Sequence, residues 1–149
     1  MTIGTICTRE TVTAKKDDTI VTVAQLMRRH HVGDIVIVKE GEAENVPIGI
    51  VTDRDLVVEV LAQELSPDAV TVGDIMSYEL VTAHDSDGIW STLQKMRIKG
   101  VRRMPVVNQR GGLVGIVSLD DVLGLLSEEL SGLTKIVGRE QERERTTRK

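Results

Sequence analysis

Aromatic side chains are almost missing from these 149 residues, with Trp90, Tyr78 and no phenylalanine. That excludes a stacking platform for single-stranded nucleic acid, which needs several aromatic faces along a basic groove. The charge argues the same way. Nineteen Lys and Arg against 23 Asp and Glu leave a formal charge of −4, so neither a nucleic-acid groove nor an anionic membrane surface is an expected partner. Cys7 is the only cysteine. It permits no intrachain disulfide and suits a reducing compartment. Apolar runs fall far short of the roughly 20 residues of a membrane helix. The start, MTIGTICTRE, has no basic region followed by an apolar one, as a secretory leader would. The expected location is cytoplasmic.

What is present is an ordinary globular balance, 40% hydrophobic and 28% charged, with Val, Ile, Leu and Met to build the core. It is also written twice. "GIVTDRDL", Gly49 to Leu56, returns as "GIVSLDDVL", Gly115 to Leu123. The likeness runs much further than that phrase. With a shift of 69 positions, Gly4 meets Gly73, Ile6 meets Ile75, and Val12-Thr13-Ala14 meets Val81-Thr82-Ala83. Met27-Arg28 meets Met96-Arg97, and Val32 meets Val101. Beyond the polar loop "KEGEAENVP", shortened to "NQRGGL", the shift becomes 66. Length changes of this kind are cheap in a surface loop.

Each half carries the same order of local signals. A short strand is expected at Thr11–Ala14 and Leu80–Ala83. A helix follows, with Ile20, Val23, Ala24 and Met27 at helical spacing, matched by Ile89, Leu93 and Met96. Next come the β-branched strands 34–38 and 103–107. Hairpin partners at 48–51 and 113–117 follow. A last helix starts near Asp53 or Leu119. The order is β-α-β-β-α, an α+β class. About 60 residues make a marginal core alone, so the two halves are expected to pack sheet to sheet about a pseudo-two-fold axis. The expected division is 3–65 for the first repeat, 66–71 for a linker, 72–130 for the second repeat and 131–149 for a charged tail. That tail reads as a frayed, solvated helix end, with contact to a partner subunit as the alternative.

The hydroxyl residues Thr52 and Ser118 stand where a strand turns into a helix. There a hydroxyl is a favoured N-cap, and an acid three residues later closes a capping box and suits the helix dipole. Two capped helices without any ligand would account for Thr52/Asp55 and Ser118/Asp121. The same geometry has a second use. A helix start offers free N–H groups to a phosphate, and a carboxylate accepts two hydrogen bonds from a vicinal diol such as ribose.

The duplicated unit closed by G-I-V-[ST]-x-x-D resembles a tandem pair of CBS domains, the Bateman module. "VGDIMS", Val72 to Ser77, and "GVRRMPVV", Gly100 to Val107, resemble further phrases of that family. The resemblance covers nearly the whole chain except the tail. It implies a homodimeric sensor without chemistry of its own, binding an adenosine-containing ligand between the repeats and regulating a partner protein. AMP, ADP, ATP, S-adenosylmethionine and NAD-type compounds are the family's ligands, and Mg²⁺ would arrive only with ATP. By position, Asp55 and Asp121 would hold ribose, with Thr52 and Ser118 near ribose or phosphate. Val12, Thr13, Ala14, Val81, Thr82 and Ala83 would help form adenine pockets. Arg54, Arg102 and Arg103 are phosphate candidates. Arg54 aligns with Asp120, and Arg102-Arg103 with Gly33-Asp34, so the two clefts are expected to be unequal.

Other residues invite other readings. His30 and His31, with His84 near the matching region of the other half, read as helix-end residues complementing the dipole, because adjacent histidines do not face one way and a metal needs converging ligands. Cys7 reads as core. The pairs Asp53 with Asp55 and Asp120 with Asp121 read as first-turn acids in capping and dipole roles rather than as Mg²⁺ ligands. Trp90 is expected in packing at a repeat or dimer interface. No nucleophile, base and orienting group can be named together, so catalysis is not expected. A ligand-free dimerisation or interaction module remains the alternative to the sensor.

Overall fold

A computed structural model describes residues 1–77 and 79–148. Two three-stranded sheets form, each with a parallel and an antiparallel pair. In the first, β1 (Thr13–Lys15) runs parallel to β2 (Asp34–Glu40), which pairs with β3 (Asn45–Thr52). In the second, β4 (Ala83–His84), β5 (Arg103–Val107) and β6 (Leu113–Ser118) repeat that order. Even the bulge is duplicated, after Ile37 in one sheet and after Val106 in the other. The mixed α+β class expected from the repeat is what forms.

The first helix of each repeat, α1 (Ile3–Ile6) and α4 (Val72–Ile75), precedes the expected strand, and each crosses to the other half. Ile3 and Gly4 donate their N–H groups to the Asp87 and Asp85 carbonyls, and Thr8 pairs with Ile116. Reciprocally, Val72 and Gly73 donate to the Asp18 and Lys16 carbonyls, and Ser77 pairs with Ile50. The buried side chains therefore sort into two clusters with exchanged members. Val72 and Met76 join Ile20, Val23, Ile35 and Val51. Ile3 and Cys7 join Met96, Met104, Val106 and Val117. The linear repeats 3–65 and 72–130 are divisions of the sequence, whereas each packed core borrows the opening segment of the other.

This crossing explains the glycine of the repeated phrase. A Cβ on Gly115 would stand 2.5 Å from the Thr8 carbonyl oxygen and 3.0 Å from Cys7 Sγ. A Cβ on Gly49 would meet Met76 Sδ at 2.6 Å. Only a bare backbone lets the crossing segment lie against the strand.

The long helices have ordinary local causes. In α2 (Ile20–His30), Thr19 Oγ1 accepts from the Thr22 N–H at 3.2 Å, and Ile20, Val23 and Met27 are buried. In α5 (Ile89–Lys99), Thr92 takes the place of Val23 and is 1% exposed. Its hydroxyl donates to the Gly88 carbonyl at 3.0 Å, so its burial leaves no polar group unpaired. The expected helix after Thr52 is broken into α3 (Asp53–Asp55) and a π-helical turn, Leu56–Leu61. Val57, Val58 and Val60 disfavour regular α geometry there. Its counterpart is the 29-residue α6 (Leu119–Thr147), in which the tail continues the helix with its residues exposed to solvent. Trp90, expected at an interface, is 68% exposed on α5.

Two predictions follow from backbone sterics. His31 caps α2 at φ 54°, where its repeat counterpart is Gly100 at φ 66°. His31→Gly removes left-handed strain and is expected to stabilise the chain by about 0.5–1 kcal/mol, read as a higher midpoint in urea. Gly115→Ala is expected to cost about 1–3 kcal/mol. Gly49→Ala should cost less in the same titration, because Met76 is a flexible side chain that can move and the Thr8 backbone is not.

Candidate functional site

Each hydroxyl–Asp pair sits at a strand-to-helix junction. Ser118 ends β6 in extended conformation, and its Oγ accepts from the Asp121 N–H at 3.2 Å. Asp121 Oδ2 accepts from the Ser118 N–H and from its hydroxyl, both at 2.8 Å. At the other junction Asp55 Oδ2 accepts from the Thr52 N–H at 2.8 Å, and the Asp55 N–H donates to Thr52 Oγ1 at 3.2 Å. Both are reciprocal capping boxes with Asp in place of the usual Glu. The cap uses one carboxylate oxygen. Among the described residues, Oδ1 of Asp55 and of Asp121 accepts no hydrogen bond, and both residues are only half-buried.

A cavity of about 250 Å³ opens at the second junction. Ser118, Asp120 and Asp121 form one wall, and Thr8, Glu10, Thr11 and Val12 form another. Val32, Asp34, Arg103 and Ile116 complete it. The crossing creates this arrangement, because Thr8 is pinned to Ile116 by two backbone hydrogen bonds of 2.9 Å. The pocket therefore joins the first repeat's opening segment, residues 8–12, to the second repeat's hydroxyl–Asp pair. Ser77 lies likewise beside Ile50, two residues before Thr52. A larger groove of about 780 Å³ runs between α2 and the π-helical turn, lined mainly by Ile20, Leu56, Val57, Leu61 and Leu65. It holds neither pair. The smaller cavity has the convergent polar groups that orient a ligand.

Asp34 and Arg103 occupy equivalent places in the two repeats, and the pseudo-two-fold brings them together. Arg103 Nε lies 2.9 Å from Asp34 Oδ2. Despite this pair, the Asp34 carboxyl titrates above its ordinary range. Burial raises it most, Arg103 lowers it, and the negative charges of Asp53 and Asp121 raise it further. Burial wins because Arg103 remains 38% exposed and its charge is partly screened.

The other candidates are placed unequally. Val12 lines the cavity. Thr13 pairs with Val36 in β1, while Ala14 and Ala83 turn into the two cores. Val81 packs on the second core, and the Thr82 carbonyl accepts from Lys95 Nζ. The strands were expected at Thr11–Ala14 and Leu80–Ala83, and both start later. Pro105 explains the shorter second one. Its counterpart Val36 donates its N–H to the Val12 carbonyl, and proline has none to donate. Arg102 is three-quarters exposed, with its guanidinium 4.0 Å from Asp120. Arg54 is exposed, and its N–H donates to Asp53 Oδ1. Cys7 is buried, and burial pushes its thiol above the ordinary range, as suits a core residue. His30 closes α2, His31 caps it, and the His84 N–H donates to Asp87 Oδ2. Among the described residues no cluster of three or more His, Cys, Asp or Glu could hold a metal ion. No helix among them is long and apolar enough to cross a membrane.

Sequence reasoning did not single out Asp34, Thr8, Glu10 or Thr11. Asp34 had a signal, its alignment with Arg103, because equivalent positions meet on a two-fold axis. The others had none, since nothing local tells a segment to pack on the opposite repeat.

The family model for the CBS domain matches residues 3–62 and again 72–128. The chain belongs to the CBS domain family. An uncharacterized protein of Methanopyrus kandleri is 38% identical over 123 residues, 83% of this chain and 61% of that protein, so the chain spans less than two thirds of that relative. Among solved structures, the CBS domain pair of protein MJ0100, in complex with 5′-methylthioadenosine and S-adenosyl-L-methionine, superposes with a TM-score of 0.74. It is 26% identical and covers 87% of this chain and 98% of its own. A CBS domain protein from Pyrobaculum aerophilum complexed with AMP gives a TM-score of 0.72 at 28% identity, covering 81% of this chain and 89% of its own.

The sign of the Asp34 shift sets a pH test. A carboxyl raised in the folded state contributes stability below its unfolded pKa, and that contribution is lost as pH rises through the folded value. The melting temperature of the wild type minus that of Asp34→Asn is expected to fall as pH rises from just under 4 towards 7. A difference that stays constant or grows would contradict the burial-dominated reading.

Proposed function

We propose that this CBS pair is a regulatory module that binds an adenosine-containing ligand in the clefts between its repeats and relays occupancy to a partner protein. It does so as a homodimer, in the cytoplasm, and without chemistry of its own. The observation that carries the reading is the Ser118–Asp121 junction. One carboxylate oxygen caps the helix, and the other is left toward a cavity walled by the opposite repeat. A vicinal diol needs an acceptor of that kind, fixed by a rigid cap rather than carried on a loop. The adenosyl ligands of two similar CBS pairs support the class. Exposed Val57, Leu61 and Leu65 on one half, with Trp90 and Ile98 on the other, support a subunit interface along the outer helices.

A ligand acts only through different affinities for two states. The elements available are the exchanged segments and the Asp34–Arg103 pair, both of which border the cavity. Asp55 and Thr52 would serve the second cleft, with Arg54 its phosphate contact, and Mg²⁺ would enter only with ATP. The alternative, a ligand-free interaction module, draws on the same capping boxes. There the two acids would only cap.

Melting scans with AMP, ADP, ATP, S-adenosylmethionine and NAD separate the readings. A ligand at 100 times its dissociation constant stabilises by about 2.7 kcal/mol, a rise of roughly 5–11 °C for a chain of this size. The rise is expected to vanish with Asp121→Ala, Asp55→Ala or both. The interaction module instead predicts no ligand effect, and a loss of about 0.5–2 kcal/mol for each cap removed.

A further inference from the structure

The two hydroxyl–Asp junctions differ at two places that carry charge, Asp53 against Leu119 and Arg54 against Asp120. Between Ser118 and Asp121 stands Asp120, which lines the cavity. The corresponding residue between Thr52 and Asp55 is Arg54. The Ser118 cleft also carries Glu10, Asp34 and Asp121, and its one basic lining residue is Arg103. That guanidinium is already engaged by Asp34 at 2.9 Å. Arg102 is the next cation, 4.0 Å from Asp120, and unlike Asp120 it is not among the residues that line the cavity. Among the described residues that line it, the cavity thus carries four acidic side chains and one guanidinium, which Asp34 engages.

A phosphate brings one to two further negative charges, and nothing here offers the bidentate arginine that such a group needs. A positive charge would be attracted by Glu10, Asp120 and Asp121, whereas the Asp34 carboxylate is matched by Arg103. Resting on the adenosyl-binding reading above, we propose that the Ser118–Asp121 cleft selects an adenosyl ligand without phosphate and favours a cationic one, an adenosyl sulfonium. Asp120 is the residue that sets this preference. At the Thr52–Asp55 junction Arg54 stands in place of Asp120, with Asp53 beside it, so the duplicated module is not expected to read one ligand twice in the same way.

The test is calorimetric titration of the full chain carrying Asp55→Ala, which leaves the Ser118 cleft to bind. S-adenosylmethionine is expected to bind at least tenfold tighter than AMP, with neutral 5′-methylthioadenosine between them. Raising salt should compress the series, because the discrimination is electrostatic. Adding Asp120→Arg should shift the ratio at least tenfold toward AMP. AMP binding as tightly as S-adenosylmethionine, or a ratio unmoved by Asp120→Arg, would overturn the inference and leave the adenosyl reading standing. So would a wild type that binds while Asp55→Ala binds nothing. Silence of the wild type toward all three ligands would overturn the adenosyl reading itself. Circular dichroism checks the fold, and Asp55→Asn, which keeps an acceptor for the cap, replaces Asp55→Ala if that variant does not fold.

Discussion

Everything in this molecule depends on the exchange of its two opening segments. Residues 2–8 close the core of the second half, and residues 71–77 close that of the first. Neither half buries its apolar face without the other, so the pair is expected to fold as one cooperative unit. The contact is main chain on main chain, with Thr8 and Ile116 trading two hydrogen bonds. That is why the phrase beginning at Gly49 and Gly115 opens on a residue without a side chain.

The same exchange builds the candidate site. A hydroxyl–Asp junction alone is a helix cap. It becomes a cavity wall because the chain leaving the crossing segment passes beside it with Thr8, Thr11 and Val12. The pseudo-two-fold then places Asp34 against Arg103 at the inner edge. It leaves a buried acid whose one counter-charge is outweighed by its burial and by Asp53 and Asp121. Pro105 weakens the symmetry further by removing the donor that in the first half binds the Val12 carbonyl. Duplication supplies the frame, and individual substitutions make the two clefts chemically different. At the far end of the sheets the hairpin loops meet, where Asn108 Nδ2 donates to Glu44.

Much of this was legible in the chain as written. The β-branched runs 34–38 and 103–107, the helical spacing of Ile20, Val23 and Met27, and the caps at Thr52 and Ser118 are local patterns, and each appears in the structure. Illegible were the π-helical turn at Leu56–Leu61, the length of α6 and the inward turn of Ala14 and Ala83. A triplet such as Val12-Thr13-Ala14 alternates sides once it is a strand. Its residues therefore cannot all face one pocket, although the repeat alignment treats them alike.

The sequence by itself determined that there are two equivalent units, where their strands turn into helices, and that Asp55 and Asp121 stand at the turns. These follow from short-range physics: periodicity, capping and the tolerance of loops for length change. Only the tertiary structure decided which segment lies against which unit. It also decided that the Ser118–Asp121 pair shares a cavity with Glu10, Asp34 and Asp120 rather than with Arg54. The reason is that burial of Ile3, Cys7, Val72 and Met76 is satisfied only across the axis. A long-range exchange of this kind leaves no mark on the residues that make it beyond a glycine where two backbones touch.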